Sequence, residues 1–260
     1  YHLDNLATRN LIEHLDEEIE ATGTLPTDRT VVVERFRDEI GDWRVVLLSP
    51  FGARVHAPWA MALMQQWRQS DSLEVNAIWS DDGIAFRFPD LEELPADLSL
   101  DPSIAEALLI DHLADTSLFS ARFREAASRS LLLPRRRPNQ RTPLWLQRRR
   151  SADLLKVAKG FGGFPIVLET YREILQDDFD LPGLSQILRG IQDRTIRMVE
   201  VETTSPSPFA SSLLFAFIEA FLYEADSPLA ERRASALTLD RRLLNELLGE
   251  GERRQLFSLE

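Results

Sequence analysis

The sequence predicts an α+β fold, with a β-hairpin-rich N-terminal part over residues 1–99 and a mostly helical part over 100–260. Three observations predict it. Residues 30–36 and 43–49, and again 73–79 and 84–88, are short runs rich in β-branched and aromatic side chains, each pair divided by a turn containing aspartate and glycine. From Asp101 onward the apolar residues recur mostly at helical spacing. The chain has 260 residues, 44% hydrophobic and 28% charged, enough for a sizeable core and unlike a disordered composition.

Leu3, Leu6, Leu11, Ile12, Leu15 and Ile19 share helical spacing, and Gly23 ends the helix. Strands over 30–36 and 43–49 form the first hairpin. Pro58 suits the first position of a helix running through Trp59, Met61, Leu63, Met64 and Trp67, because proline lacks the N–H that this position leaves unused. The second hairpin turns at Asp81-Asp82-Gly83. Asp101-Pro102 reads as an N-cap followed by proline at the first helical position, opening a helix to Leu113. Helical patterns continue over 117–131, 143–158, 164–177, 183–193, 208–223, 228–236 and 240–248, with one strand expected at 196–201. Pro134, Pro138 and Pro143 make the stretch between two of these helices a loop.

Several function classes fall away. There are no cysteines, so disulfides, thiolate zinc sites and cysteine nucleophiles are excluded. The most apolar run, 213–223, is 11 residues long and contains Glu219, short of the ~18 that cross a membrane, so a buried helix and a cytoplasmic, membrane-free protein are expected. The chain opens at Tyr1 without methionine or a signal pattern, and a piece of a longer protein is expected. His2, His14, His56 and His112 are scattered, without metal-ligand spacing. Asp177-Asp178 are neighbours that a helix points apart, and Asp81-Asp82 belong to a turn. Gly160-Phe161-Gly162-Gly163 lacks the Lys-Ser/Thr of a phosphate loop. No catalytic or metal-binding residue is assigned.

What remains is a binding signature. The net charge is −12, yet 129–150 contains Arg129, Arg135, Arg136, Arg137, Arg141, Arg148, Arg149 and Arg150 and no acid. That segment carries +8 and the remainder −20, a segregation that permits a local anion-binding surface, with nucleic acid and an acidic protein surface both open as its partner. Tryptophans 43, 59, 67, 79 and 145 lie near arginines 44, 54, 68, 87 and 141, the stacking platforms and phosphate clamps of single-strand binding. Trp43, Trp67 and Trp79 are expected in the core. Trp59 follows Gly52-Ala53-Arg54-Val55-His56-Ala57-Pro58, a small-residue loop leading to a helix N-terminus, where free N–H groups can hold a phosphate while the ring meets a base.

The runs VVVERFRDEIGDWRVVLLSPFGARVHAPWAMAL (31–63), WSDDGIAFRFPD (79–90), FREAASRSLLLPRRRPNQRTPLW (123–145), FPIVLETYREILQD (164–177), SPSPFA (205–210) and LDRRLLNELLGEGERRQLF (239–257) resemble the large helicase-related (Lhr) family. They resemble its DEAD/H-associated domain, which follows two RecA-like motors and a winged helix. The resemblance implies an accessory module of a 3′-to-5′ ATP-dependent helicase that lines the channel of the single-stranded tracking strand, on DNA or an RNA:DNA hybrid, and braces the motor domains. It implies a stacking role for Trp59, with Arg54 and His56 beside it; the charge of the acid-free segment, apart from the resemblance, makes Arg135, Arg136, Arg137 and Arg141 candidate phosphate contacts. ATP and magnesium belong to the motor domains; this chain carries no motor motif and is expected to hold no cofactor and to hydrolyse no ATP alone. The alternative is a packing module that touches no nucleic acid.

Overall fold

The computed structural model describes residues 3–38, 41–70, 72–73, 75–88, 94, 98–133, 143–161 and 163–223, with side chains described as far as 215. Within them the chain is α+β: a five-stranded sheet of order β3-β4-β2-β1-β5, with helices on both faces. Strands β1 (Thr30–Arg37) and β2 (Trp43–Leu48) form the first hairpin, and β3 (Asn76–Trp79) and β4 (Gly83–Phe88) the second. Strand β4 lies antiparallel to β2, and β5 (Arg197–Glu202) returns from the helical part to pair parallel with β1. The five strands therefore draw on both sequence parts. Gly83 is required where the hairpins meet, since a Cβ there would stand 2.2 Å from the Leu47 carbonyl oxygen.

Alternation along β1 decides the two cores. Val31 and Val33 face the larger one, with Leu47, Phe86 and helices α2 (Ala53–Ser70), α3 (Pro102–Leu113), α4 (Ser117–Arg129) and α7 (Leu181–Gln192). Val32 and Phe36 face the smaller one, with Val46, Leu48 and Ala210, Leu213 and Leu214 of α8 (Pro208–Tyr223). Glu34 points the same way and is fully buried. Its Oε1 accepts from the Ser207 N–H and the Thr203 hydroxyl, while Glu18 Oε2 accepts from the Phe209 N–H. Two buried carboxylates thus receive the start of α8, and burial pushes the Glu18 carboxyl up.

Helix α1 (Asn5–Thr22) forms as expected, capped by Asp4 at its start and by Gly23 at its end, where φ is +75° and the glycine N–H reaches the Ile19 carbonyl. Its apolar residues Leu6, Leu11, Ile12 and Ile19 are exposed, and the helix buries Glu18 and Thr22. Asp101 caps α3 with Pro102 at the first helical position, as read from sequence. The expected helix over 164–177 is α6 (Pro165–Arg172) widening into a π-turn at Glu173–Asp178. Helix α5 (Leu144–Ala158) lies against α4. The helices expected at 228–236 and 240–248 lie outside the described residues.

Candidate nucleic-acid interface

Pro58 does not begin a helix. Helix α2 starts five residues earlier, at Ala53, and carries Pro58 inside it. A proline in that place cannot donate to the carbonyl four residues back, that of Arg54. The Asp180 N–H fills that acceptor at 2.9 Å. The Arg54 guanidinium completes the arrangement by donating from Nη2 to the carbonyls of Gln176 and Asp177, at 3.1 and 3.0 Å, and more distantly to Phe179. Backbone and side chain of one residue therefore hold the end of the π-turn. The α2 N-terminus is also occupied, because the Ala53 N–H donates to Asp81 Oδ1 at 2.9 Å. The free helix end expected at Pro58 is thus corrected: an internal carboxylate sits where a phosphate was expected.

The inward turn continues along α2. His56 is 0% exposed. Its Nδ1 lies 2.7 Å from the Ser80 carbonyl, which can only accept, so Nδ1 carries the hydrogen and Nε2 accepts from the Ser49 hydroxyl at 2.6 Å. Burial lowers its pKa, in keeping with this neutral tautomer. Trp59 is 0% exposed too, a core residue rather than a ring turned outward. It backs a pocket of about 310 Å³ between α2, α3, α7 and β5, and its Nε1 has no partner among the described residues. Of the three residues expected together at the surface, only Arg54 is exposed, and it is engaged with backbone.

Several other arginines are also committed to the fold. Arg44 pairs with Asp38, Arg87 with Asp42, Arg35 with Glu200, and Arg129 with Glu173. Arg122 binds Asp178, which separates the Asp177-Asp178 pair: one carboxylate is fixed while the other stays exposed. Helices α4 and α5 differ. Between them runs an open trough of about 750 Å³ lined by Ser117, Ser120, Arg124, Arg148 and Ser151 together with apolar groups, with no carboxylate among the described lining residues. Arg124 and Arg148 make no hydrogen bond or ion pair with a described residue. One turn before Arg148, Leu144 and Trp145 are 62% and 63% exposed. Sequence reading noted Trp145 only as a neighbour of Arg141; its exposure and the meeting of Arg124 with Arg148 depend on how α4 packs on α5. Arg135, Arg136, Arg137 and Arg141, in the segment joining those helices, lie outside the described residues.

The DEAD/H associated family matches residues 25–210. The chain belongs to the DEAD/H-associated family. An Lhr helicase/probable uracil glycosylase of Mycolicibacterium smegmatis is 53% identical over 96% of this chain and 17% of its own length. The Lhr helicase/uracil glycosylase of Escherichia coli is 46% identical over 94% of this chain and 16% of its own. The DEAD/H-associated chain thus spans about a sixth of either relative. Among solved structures, the Mycobacterium smegmatis helicase Lhr bound to ssDNA and AMP-PNP matches with a TM-score of 0.74 and 50% identity, over 81% of this chain and 27% of that one. Among the described residues of this DEAD/H-associated chain, no helix is long and apolar enough to cross a membrane.

Proposed function

We propose that the chain is a nucleic-acid-binding accessory domain of an Lhr-type 3′-to-5′ ATP-dependent helicase, acting in the cytoplasm on single-stranded DNA or an RNA:DNA hybrid. In this reading it contacts the tracking strand and braces RecA-like and winged-helix domains of the same polypeptide, which hold ATP and magnesium. We assign it no catalytic residue of its own. The observation that carries the reading is the likeness, at 50% identity, to a helicase described as bound to ssDNA. The acid-free arginine segment supports it, because guanidinium groups recognise phosphate in a bidentate way.

A packing module without nucleic-acid contact is the second reading, and one observation favours it: Arg54, His56 and Trp59 are all engaged within the fold. Titration of a labelled single strand against the chain at several salt concentrations separates the two. Contact with phosphates gives an affinity falling with salt, at a slope of about −0.7 per contact. Replacing Arg136 and Arg137 by glutamine then flattens the slope by roughly one to two contacts' worth. Absence of salt-dependent binding selects the packing module.

A further inference from the structure

We propose that the trough between α4 and α5 holds the phosphodiester backbone of a single strand, and that Trp145 stacks on an unpaired base beside it. The inference rests on the single-strand reading above and names a surface for it that lies apart from Arg54, His56 and Trp59.

The chemistry of the walls points to the ligand. Arg124 on α4 and Arg148 on α5 face one trough and make no hydrogen bond or ion pair with a described residue. Of the other described arginines, Arg35, Arg44, Arg87, Arg122, Arg129 and Arg172 pair with carboxylates of the chain. Two guanidinium groups without a partner among the described residues, with the serines of the same wall and no carboxylate among its described residues, are suited to a polyanion that takes both charge-assisted and hydroxyl hydrogen bonds. Arginine adds a planar fork that grips two phosphate oxygens.

The aromatic supplies the second half. Trp145 sits three residues before Arg148 and four before Arg149, the spacings that bring side chains together on one helix face. The rise between Trp145 and Arg148 is about 4.5 Å, so a ring and a phosphate clamp stand one turn apart. An indole 63% exposed, with no hydrogen bond or ring contact to a described residue, leaves most of its apolar area in water. A base covers such a ring and carries its own phosphate toward the cations.

The test uses anisotropy of a labelled oligothymidylate of about 12 nucleotides with the chain. Trp145→Ala is expected to weaken binding roughly 5- to 150-fold, with an unshifted melting curve because the ring is exposed. On an abasic strand of the same length, wild type and Trp145→Ala are expected to bind alike. Arg124→Gln and Arg148→Gln are each expected to flatten the salt slope by about 0.7. If wild type binds the strand while all three variants match it, the strand runs elsewhere; this inference then fails and the single-strand reading stands. If wild type binds no strand, both fail. If Trp145→Ala leaves strand affinity unchanged and instead lowers the melting temperature of the longer helicase polypeptide, the trough faces a protein domain and the inference is overturned.

Discussion

Trp59 has no exposed surface and lies within the larger core, so its truncation leaves a cavity as well as lost burial. Trp59→Ala is expected to destabilise the chain by ~3–5 kcal/mol. For a protein of this size that lowers the melting temperature by roughly 6–20 °C, readable by calorimetry. Single-strand affinity per folded molecule is expected to stay at the wild-type value; an unshifted melting curve with weakened binding would return the ring to the strand. His56 gives a prediction of definite sign. Burial holds its pKa below the ordinary 6.5, so the unfolded chain binds the proton more tightly than the folded one. Its contribution is therefore present above pH 6.5 and lost as pH falls toward the depressed folded value, at up to about 1.4 kcal/mol per pH unit. Urea melts between pH 7 and pH 5 measure this, and His56→Gln, which keeps polar atoms but does not titrate, is expected to flatten the slope over that interval.

At the scale of the element, the Arg54 latch ties α2 to the π-turn. Arg54→Ala removes the guanidinium's bonds to the 176 and 177 carbonyls but leaves the backbone bond to Asp180. A loss of about 2 kcal/mol is expected, seen as faster amide exchange around 174–180 with the central strands still protected. Equal exchange in the variant would mean that the turn holds itself. This latch also marks where sequence reading stops. The strands at 30–37 and 43–48, the Gly23 stop and the Asp101-Pro102 start were legible because their causes are local: alternation, a left-handed cap, an N-cap. Pro58 misled because its tolerance inside α2 depends on a donor at Asp180, more than a hundred residues away. The burial of Trp59 and the exposure of Trp145 depend on packing between helices in the same way, and nothing in either residue's neighbours distinguishes them. Glu18 and Glu34 were unreadable for a further reason: glutamate is ordinarily solvated, and only the start of α8 explains their burial.

At the scale of the molecule, the accessory reading makes a prediction for the isolated chain. The chain is expected to show no ATP hydrolysis, with or without single-stranded DNA, in a phosphate-release assay; DNA-stimulated turnover by the purified chain would contradict the accessory reading. The sheet also bears on how such a chain is made. Strand β1 is built from buried valines, and its outer edge is covered by β5, which follows it by more than 160 residues. At a synthesis rate of about 5–20 residues per second, roughly ten to thirty seconds pass between the emergence of one strand and that of its neighbour. During that interval an apolar strand edge is open to any other nascent chain. Truncation after α7 would make that interval permanent, so a chain ending at Gln192 is expected to collect in aggregates, whereas one ending beyond β5 has its own strand to close the edge.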